Sequence, residues 1–473
     1  MNKVLSGLVL VLVILLSLPG ETSMEQASLE VSFQDEQLEQ AIKQILKKDK
    51  NTAIMQKDMQ SLTVVDLSKR EIKSIQGLQY ASNLTHLDLS NNEIDDIMPL
   101  KSLTKIRGLD ISGNQIASIQ ELSSMTDMGR LKVNRNRISS IDVIRQFWRL
   151  HTFEANDNQI SNIEALSTAT ELTWLKMNEN LIANIKPLSK LTKLKNLDLA
   201  SNRISDLSPL KPLFKSLMNL DIGSNRISDL SALEEMTLMR SLSAENNQIK
   251  ELDPLKKMSN LTSLNLTSNL VYNLEPLKSL SELHYLYLSD NRVWNLDPIR
   301  YHAFDTHYDT GALRYALQLS GNYLDLRSTT KTYQLLNKLG GEGYPGFQLK
   351  AQRLVIGSRT AYVGEGSFAL SAAPFIASSR TYVPIRFVSE RSGSKVGWNQ
   401  SNKEVTISRN NTVIRWKVNE KKANVNGRTV SFDTPLLLKK NSSFIPVRLV
   451  SELLGSPVEY MANPKTVIIF EQK

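Results

Sequence analysis

The sequence predicts an α/β solenoid of about twelve 22-residue repeats, followed by a small α+β domain with internal duplication. Three observations carry this expectation. An asparagine recurs in one register at steps of 22 residues, and leucines and isoleucines recur around it in a fixed pattern. Near residue 350 that register stops and a second interval, of 62 residues, takes over.

The stretch LTHLDLSNNEIDDIMPL (84–100) shows the unit. Asn92, Asn114, Asn136, Asn158, Asn180 and Asn202 follow one another at 22 residues, Asn225 comes after 23, and Asn247, Asn269 and Asn291 after 22 each. Arg70 holds the same register one step earlier, and Asn322 closes it after 31. The shared pattern is L-x-x-L-x-L-x-x-N-x-I-x-x-I-x-x-L, and a period of this length marks stacked supersecondary units. Leu84, Leu87 and Leu89 point into the core, and the alternation of Leu87 and Leu89 marks a short strand. Ile94, Ile97, Leu100 and Leu103 return along the convex side in turns too short for full helices. The asparagine is expected to be structural: its amide both donates and accepts, satisfying the turn and bonding the next coil. A buried polar group left unpaired there costs about 1–3 kcal/mol.

These residues resemble leucine-rich repeats of the short bacterial type, as in internalins and SDS22-like proteins, over residues 30–349. The resemblance implies a helical N-terminal cap at 29–61, containing FQDEQLEQAIKQIL, and leucine-rich repeats at 62–326. It also implies a C-terminal cap helix and linker at 327–349, announced by SGNYLDLRSTTKTYQLLNKLGG. Caps cover the core that each end of a solenoid would otherwise expose. Arg70 departs from the asparagine pattern, which is tolerable where the turn faces the cap.

If the apolar positions form the core, the residues between them line the concave face. One column reads Val64, His86, Gly108, Arg130, Thr152, Trp174, Asn196, Asn219, Ser241, Ser263, Tyr285. Its neighbour reads Asp66, Asp88, Asp110, Lys132, Glu154, Lys176, Asp198, Asp221, Ser243, Asn265, Tyr287. Two groups stand out as candidate binding residues: Arg130, Lys132, Glu154, Trp174 and Lys176 on three successive coils, and Tyr285 with Tyr287. Exposed Trp, Tyr and Arg dominate binding hot spots. The Asp66, Asp88, Asp110 series reads as a repeat-consensus strand residue rather than a cation site. Between the last two repeats lies RYHAFDTHYDTG (300–311), with His302, Asp305, His307 and Asp309. Two histidines five apart in a loop fall short of the three or four defined ligands a zinc site needs, so this reads as a surface loop.

Residues 350–473 repeat at the longer interval, with TYVPIRFVSERSGSKVGWNQSNKEVTI from Thr381 and SFIPVRLVSELLGSPVEYMANPKTVII from Ser443. Each unit reads as strand, short helix, turn and β-hairpin. The paired VPIR and IPVR signatures resemble the copper amine oxidase N-terminal-like domain found on many secreted proteins of Gram-positive bacteria. Copper chemistry does not follow: cysteine is absent from the chain and histidine from 308–473, so the soft ligands copper favours are missing. Arg386 with Glu390, and Arg448 with Glu452, have the i, i+4 spacing of a helix salt bridge rather than of a catalytic pair.

The chain carries 57 Lys and Arg against 48 Asp and Glu, a formal charge of +9. The excess is confined to residues 350–473, with 19 basic against 8 acidic side chains, leaving 38 against 40 in the preceding 349. Such asymmetry points to an anionic partner for the tail, teichoic acid or peptidoglycan in a Gram-positive wall. The first residues, MNKVLSGLVLVLVILLSLPGETS, read as a signal peptide over 1–23, with an apolar run short of the roughly 20 residues of a span. Export argues against nucleic acid as the partner, and no membrane span is expected after cleavage. No nucleophile motif, phosphate-cradling loop or metal cluster is present to suggest an enzyme, and no cofactor is expected. The expectation is a non-catalytic protein, secreted or cell-wall associated, with a protein or glycan ligand on the concave face. The alternative is a structural envelope or spore-surface component without a specific ligand.

Overall fold

The computed structural model describes residues 29–304, 316–327, 330–338, 348 and 351–470, apart from 365, 392, 410 and 462–463. The expected signal peptide and the positions Asp305, His307 and Asp309 lie outside the described residues. Twelve short strands, β1 (Val64–Asp66) to β12 (Leu317–Gln318), form one parallel sheet in chain order. They pair without slip, so Leu87 stands beside Leu109 and Leu131 beside Phe153. Strand side chains alternate between faces, so the middle residue is buried and its neighbours face the concave surface. The opposite wall is a series of 3-10 turns such as Met98–Leu100 and Glu164–Thr168. A 3-10 turn rises further per residue than an α-helix, which lets a 22-residue coil close.

The asparagine ladder holds the coils together, but it reaches back to the preceding coil, not forward to the next. Asn92 Nδ2 donates to Leu67 O (2.9 Å) and Leu89 O (2.8 Å), while Oδ1 accepts from Arg70 N (3.0 Å) and Ile72 N (3.1 Å). Asn180 repeats this with Ala155 O (2.8 Å) and Ile160 N (2.9 Å), as does the fully buried Asn291 with Leu266 O (2.7 Å) and Val271 N (2.9 Å). The residue before each asparagine, such as Asn91 (φ 57°), Glu179 (53°) and Asp290 (55°), takes the left-handed region and turns the chain out of the strand.

The backward direction explains Arg70. The first coil has no coil before it, so an asparagine there would lack its partners. Arg70 Nη1 instead reaches Gln44 Oε1 (3.3 Å) on the cap helix α1 (Glu36–Leu46), which the short helix α2 (Gln56–Gln60) follows. Asp35 ties that helix down: its Oδ1 caps Leu38 N (3.0 Å) and its Oδ2 accepts from Lys73 N (2.7 Å) and Ser74 N (3.2 Å) of the first coil.

Past the solenoid and helix α3 (Lys331–Lys338), the second domain is duplicated more completely than its sequence suggests. One unit comprises β13 (Ala351–Val355), β14 (Thr360–Val363), β15 (Gly366–Ala369), β16 (Phe375–Ala377), β17 (Arg380–Pro384), α4 (Ile385–Arg391), β18 (Lys395–Asn399) and β19 (Glu404–Arg409). The other repeats it as β20 (Thr412–Lys417), β21 (Lys422–Val425), β22 (Arg428–Ser431), β23 (Leu437–Lys439), β24 (Ser442–Pro446), α5 (Val447–Leu454), β25 (Val458–Met461) and β26 (Thr466–Phe470). The units exchange strands: β13 pairs with β26 and β19 with β20, giving sheets ordered β15-β14-β13-β26-β25 and β18-β19-β20-β21-β22. The two signature motifs meet at the pseudo-dyad, where Val383 pairs with Ile445. Arg386 and Glu390 form the expected ion pair at 3.7 Å, while the Glu452 side chain lies outside the described ones.

This domain docks on the last coils. Ala351, Ile468 and Phe470 bury against Tyr272 and Tyr323, and the Arg353 guanidinium lies 4.2 Å from the Trp294 ring centre. Glu459, 8% exposed at its side chain, accepts from Arg292 Nη1 (2.9 Å) and pairs with Lys250. The duplication supplies an internal control. At the equivalent positions of the other unit, Ile468, Phe470, Met461 and Glu459 become Thr406, Ser408, Asn399 and Gly397. The docking face is apolar only in the copy that docks.

Two outcomes follow. Asn180→Ala removes the donors and acceptor of one rung and is expected to destabilise the solenoid by about 2–5 kcal/mol, read by denaturant unfolding. Glu459→Ala strands two cations at the junction, and calorimetry of the full chain should show the second domain melting ahead of the solenoid, with Glu459→Gln intermediate.

Candidate functional site

The strand register places the two predicted columns side by side on the concave face. Arg130 pairs with Thr152 and then Trp174, and Lys132 with Glu154 and then Lys176. Arg130, Lys132, Glu154, Trp174 and Lys176 therefore form one patch across three strands. Within it Lys132 Nζ lies 3.8 Å from Glu154 Oε1, and Lys176 Nζ sits 5.2 Å from the Trp174 ring centre. Only Arg130 is exposed; the others are half-buried, and the Trp174 indole N–H is buried without a hydrogen-bond partner. Tyr285 and Tyr287 are not brought to this patch. They stand on β11 (Tyr285–Tyr287), five strands beyond Trp174, which at about 4.8 Å per strand is about 24 Å away. Tyr285 leans on the solenoid core, and burial raises the Tyr287 hydroxyl above its ordinary pKa.

The structure supplies the reason for the acidic column. Asp88 Oδ1 accepts from Ser90 N (2.8 Å), Asp110 from Ser112 N (3.0 Å), Asp198 from Ala200 N (3.2 Å) and Asp221 from Gly223 N (3.0 Å), with Asn265 doing the same for Thr267. The carboxylate closes the turn that ends each strand. Lys132, Glu154, Lys176 and Tyr287 occupy this position without the ability, or without the geometry, to make that bond. Ser243 also departs, giving its hydroxyl to Glu245. In the coils of the patch the same N–H groups are bonded instead by side chains of the preceding coil: Asn134 N donates to Ser112 Oγ (3.2 Å), Asn156 N to Asn134 Oδ1 (2.9 Å) and Asn178 N to Asn156 Oδ1 (3.0 Å).

Acid accumulates just beyond the patch. Burial raises the Asp221 carboxyl to about 6, with Glu245 and Asp198 adding repulsion, and burial likewise raises Asp198. Lys176 is the cation that partly offsets them.

His302 is buried rather than part of an open loop. Its Nε2 lies 3.0 Å from Leu277 O, and burial lowers its pKa. Among the described residues no group of three or more metal-ligating side chains converges, and no helix is long and apolar enough to cross a membrane.

The columns missed part of the surface. On the flank immediately upstream of the strands, Arg107, Trp148, Arg149 and His151 line a hollow of about 890 Å³ together with Arg130. A signal was available: position 148 interrupts a column of Ser82, Thr104, Thr126, Thr170 and Thr192 with a tryptophan.

Comparisons agree with this architecture. The family model of leucine-rich repeats in two copies matches residues 82–124 and 170–212, and that of the copper amine oxidase N-terminal domain matches 352–469. An internalin of Listeria monocytogenes superposes with a TM-score of 0.58 at 29% identity, covering 63% of this chain and 87% of its own. Internalin C2 of the same organism is 30% identical, covering 45% and 94%, with a TM-score of 0.43. No curated protein sequence matches the chain. The class defined is that of leucine-rich-repeat proteins. Within it, this is an internalin-like protein with a C-terminal copper amine oxidase N-terminal-like domain, and the likeness supports a non-catalytic binding protein.

Because the folded Asp221 pKa is raised, its ionisation opposes folding: the stabilisation is full below pH 3.8 and lost as pH rises through about 6. Asp221→Asn keeps the acceptor for Gly223 and removes the charge. It should raise stability by about 1–3 kcal/mol at pH 7.5, with the gain vanishing toward pH 4 in thermal melts.

Proposed function

We propose that this is a secreted, wall-associated binding protein of a Gram-positive bacterium, whose concave patch of Arg130, Lys132, Glu154, Trp174 and Lys176 recognises a protein or glycan. The observation that carries the reading is a hand-over of the strand-end turn. At three successive coils Ser112, Asn134 and Asn156 take over the bond an aspartate makes elsewhere, which releases Lys132, Glu154 and Lys176 from that duty. Tyr285 and Tyr287 form a second contact point for a ligand long enough to span about five strands.

The C-terminal domain is the retention element in this reading. Its undocked sheet turns an exposed row of Lys395, Arg415, Lys417 and Lys422 outward. Those cations suit an anionic wall polymer such as teichoic acid, and such attraction weakens as salt shortens the Debye length.

The test uses the full chain. It should co-sediment with purified Gram-positive walls at low salt and release at 1 M NaCl, and reversing Lys395, Arg415, Lys417 and Lys422 to glutamate should abolish pelleting. On arrays of extracellular proteins and glycans, a ligand retained by the wild type should weaken at least tenfold with Trp174→Ala or Lys176→Glu. Should no array ligand respond to either concave substitution, the concave reading fails and a structural envelope component is the better account.

A further inference from the structure

We propose that the hollow upstream of the strands is a second binding site, and that its ligand is an acidic oligosaccharide. It lies on the flank of the solenoid at the edge of the concave sheet, with which it shares His86 and Arg130, and spans the coils from His86 to Lys193.

The hollow is built by glycine. A Cβ at Gly108 would stand 2.6 Å from His86 Cδ2, and one at Gly129 would stand 3.2 Å from His151 Nε2. The two imidazoles therefore lean inward from opposite sides, each over the glycine of an adjoining coil. Any larger residue at Gly108 would push His86 out and close that side. Trp148 forms the lip. Its side chain is 57% exposed, and the Arg149 guanidinium lies 4.4 Å from the ring centre.

The charges are arranged so that one is left for a ligand. Asp127 is shared by Arg107 (3.6 Å) and Arg149 (3.8 Å), and Glu171 pairs with Lys193 at 2.6 Å. Arg130 makes no ion pair among the described residues, and the lining carries four cations against two carboxylates. A guanidinium so placed takes a carboxylate or sulfate in a bidentate fork.

The choice of a glycan over a polypeptide rests on the lining. Protein hot spots centre on a dry apolar pocket ringed by polar residues. Here the centre is glycine, imidazole and threonine hydroxyl, and the single large apolar surface is one flat indole. That combination matches a sugar, whose ring offers C–H groups to an aromatic face and hydroxyls to the surrounding polar groups. The volume is within the range of small-molecule sites, about 300–1,000 Å³.

The hollow shares Arg130 with the concave patch, and the test separates the two readings through Trp148, which lines only the hollow, and Trp174, which belongs only to the patch. Full-length protein is titrated calorimetrically with a hyaluronate hexasaccharide, and in parallel with neutral chitohexaose and with hexaglutamate. Saturable binding of hyaluronate is expected, at least tenfold tighter than either control. Trp148→Ala and Arg130→Ala should each weaken it at least tenfold, while Trp174→Ala leaves it unchanged. Failure of hyaluronate to bind overturns the proposal. Equal binding of hexaglutamate assigns the hollow to acidic polypeptides, equal binding of chitohexaose removes the acidic requirement, and an unaffected Trp148→Ala places the binding elsewhere; each of these also overturns it.

Discussion

Everything in the solenoid hangs on the side-chain amide of the recurring asparagine. A coil of 22 residues leaves a strand, turns at once and returns, so its turn carries backbone N–H and C=O groups into a dry interior. The amide is among the few side chains that can serve both kinds of group from one position. At Asn92 it donates to carbonyls of its own and the preceding coil and accepts from that coil's N–H groups. Turn closure and coil stacking are thereby one interaction. Its direction also gives the array a polarity: the start needs a cap that can replace the missing partner, and Arg70, Gln44 and Asp35 provide it.

With stacking secured by the asparagine and the buried leucines, the concave face is free of structural duty except at one position. There an aspartate closes the strand-end turn, and at Asp198 and Asp221 burial makes that carboxylate costly, as their raised pKa values record. Three successive coils that dispense with the aspartate gather Lys132, Glu154, Trp174 and Lys176, and there Ser112, Asn134 and Asn156 close the turn from the preceding coil instead. The strand position is thereby freed for other side chains.

The second domain follows the same logic through duplication. Two copies of one unit exchange strands to make two similar sheets, yet only one sheet face turns apolar. That face meets Tyr272, Tyr323 and Trp294, and Glu459 fixes it by pairing with both Arg292 and Lys250. Burial pushes the Tyr272 phenol up to about 12, with repulsion from Glu251 and Glu459 adding to it. The undocked, basic sheet is thereby held in a set orientation relative to the concave face.

Much of this was legible in the residues. The 22-residue register located the strands of the solenoid and both concave columns, because core positions repeat at a local period and β side chains alternate. The 62-residue interval revealed the second domain, although β13 to β16 and their copies β20 to β23 escaped notice because their sequences diverged. The direction of the asparagine bonds and the burial of His302 were not legible. Nor was the hollow, which needs two glycines and two histidines from different coils to be seen as one place. Local periodicity is written along the chain, so the sequence by itself determined the repeat, its core and the order of its strands. The Arg292–Glu459 contact joins residues 167 apart, and it exists only because two finished domains meet; docking, like the shape of the flank, was decided by the tertiary structure alone.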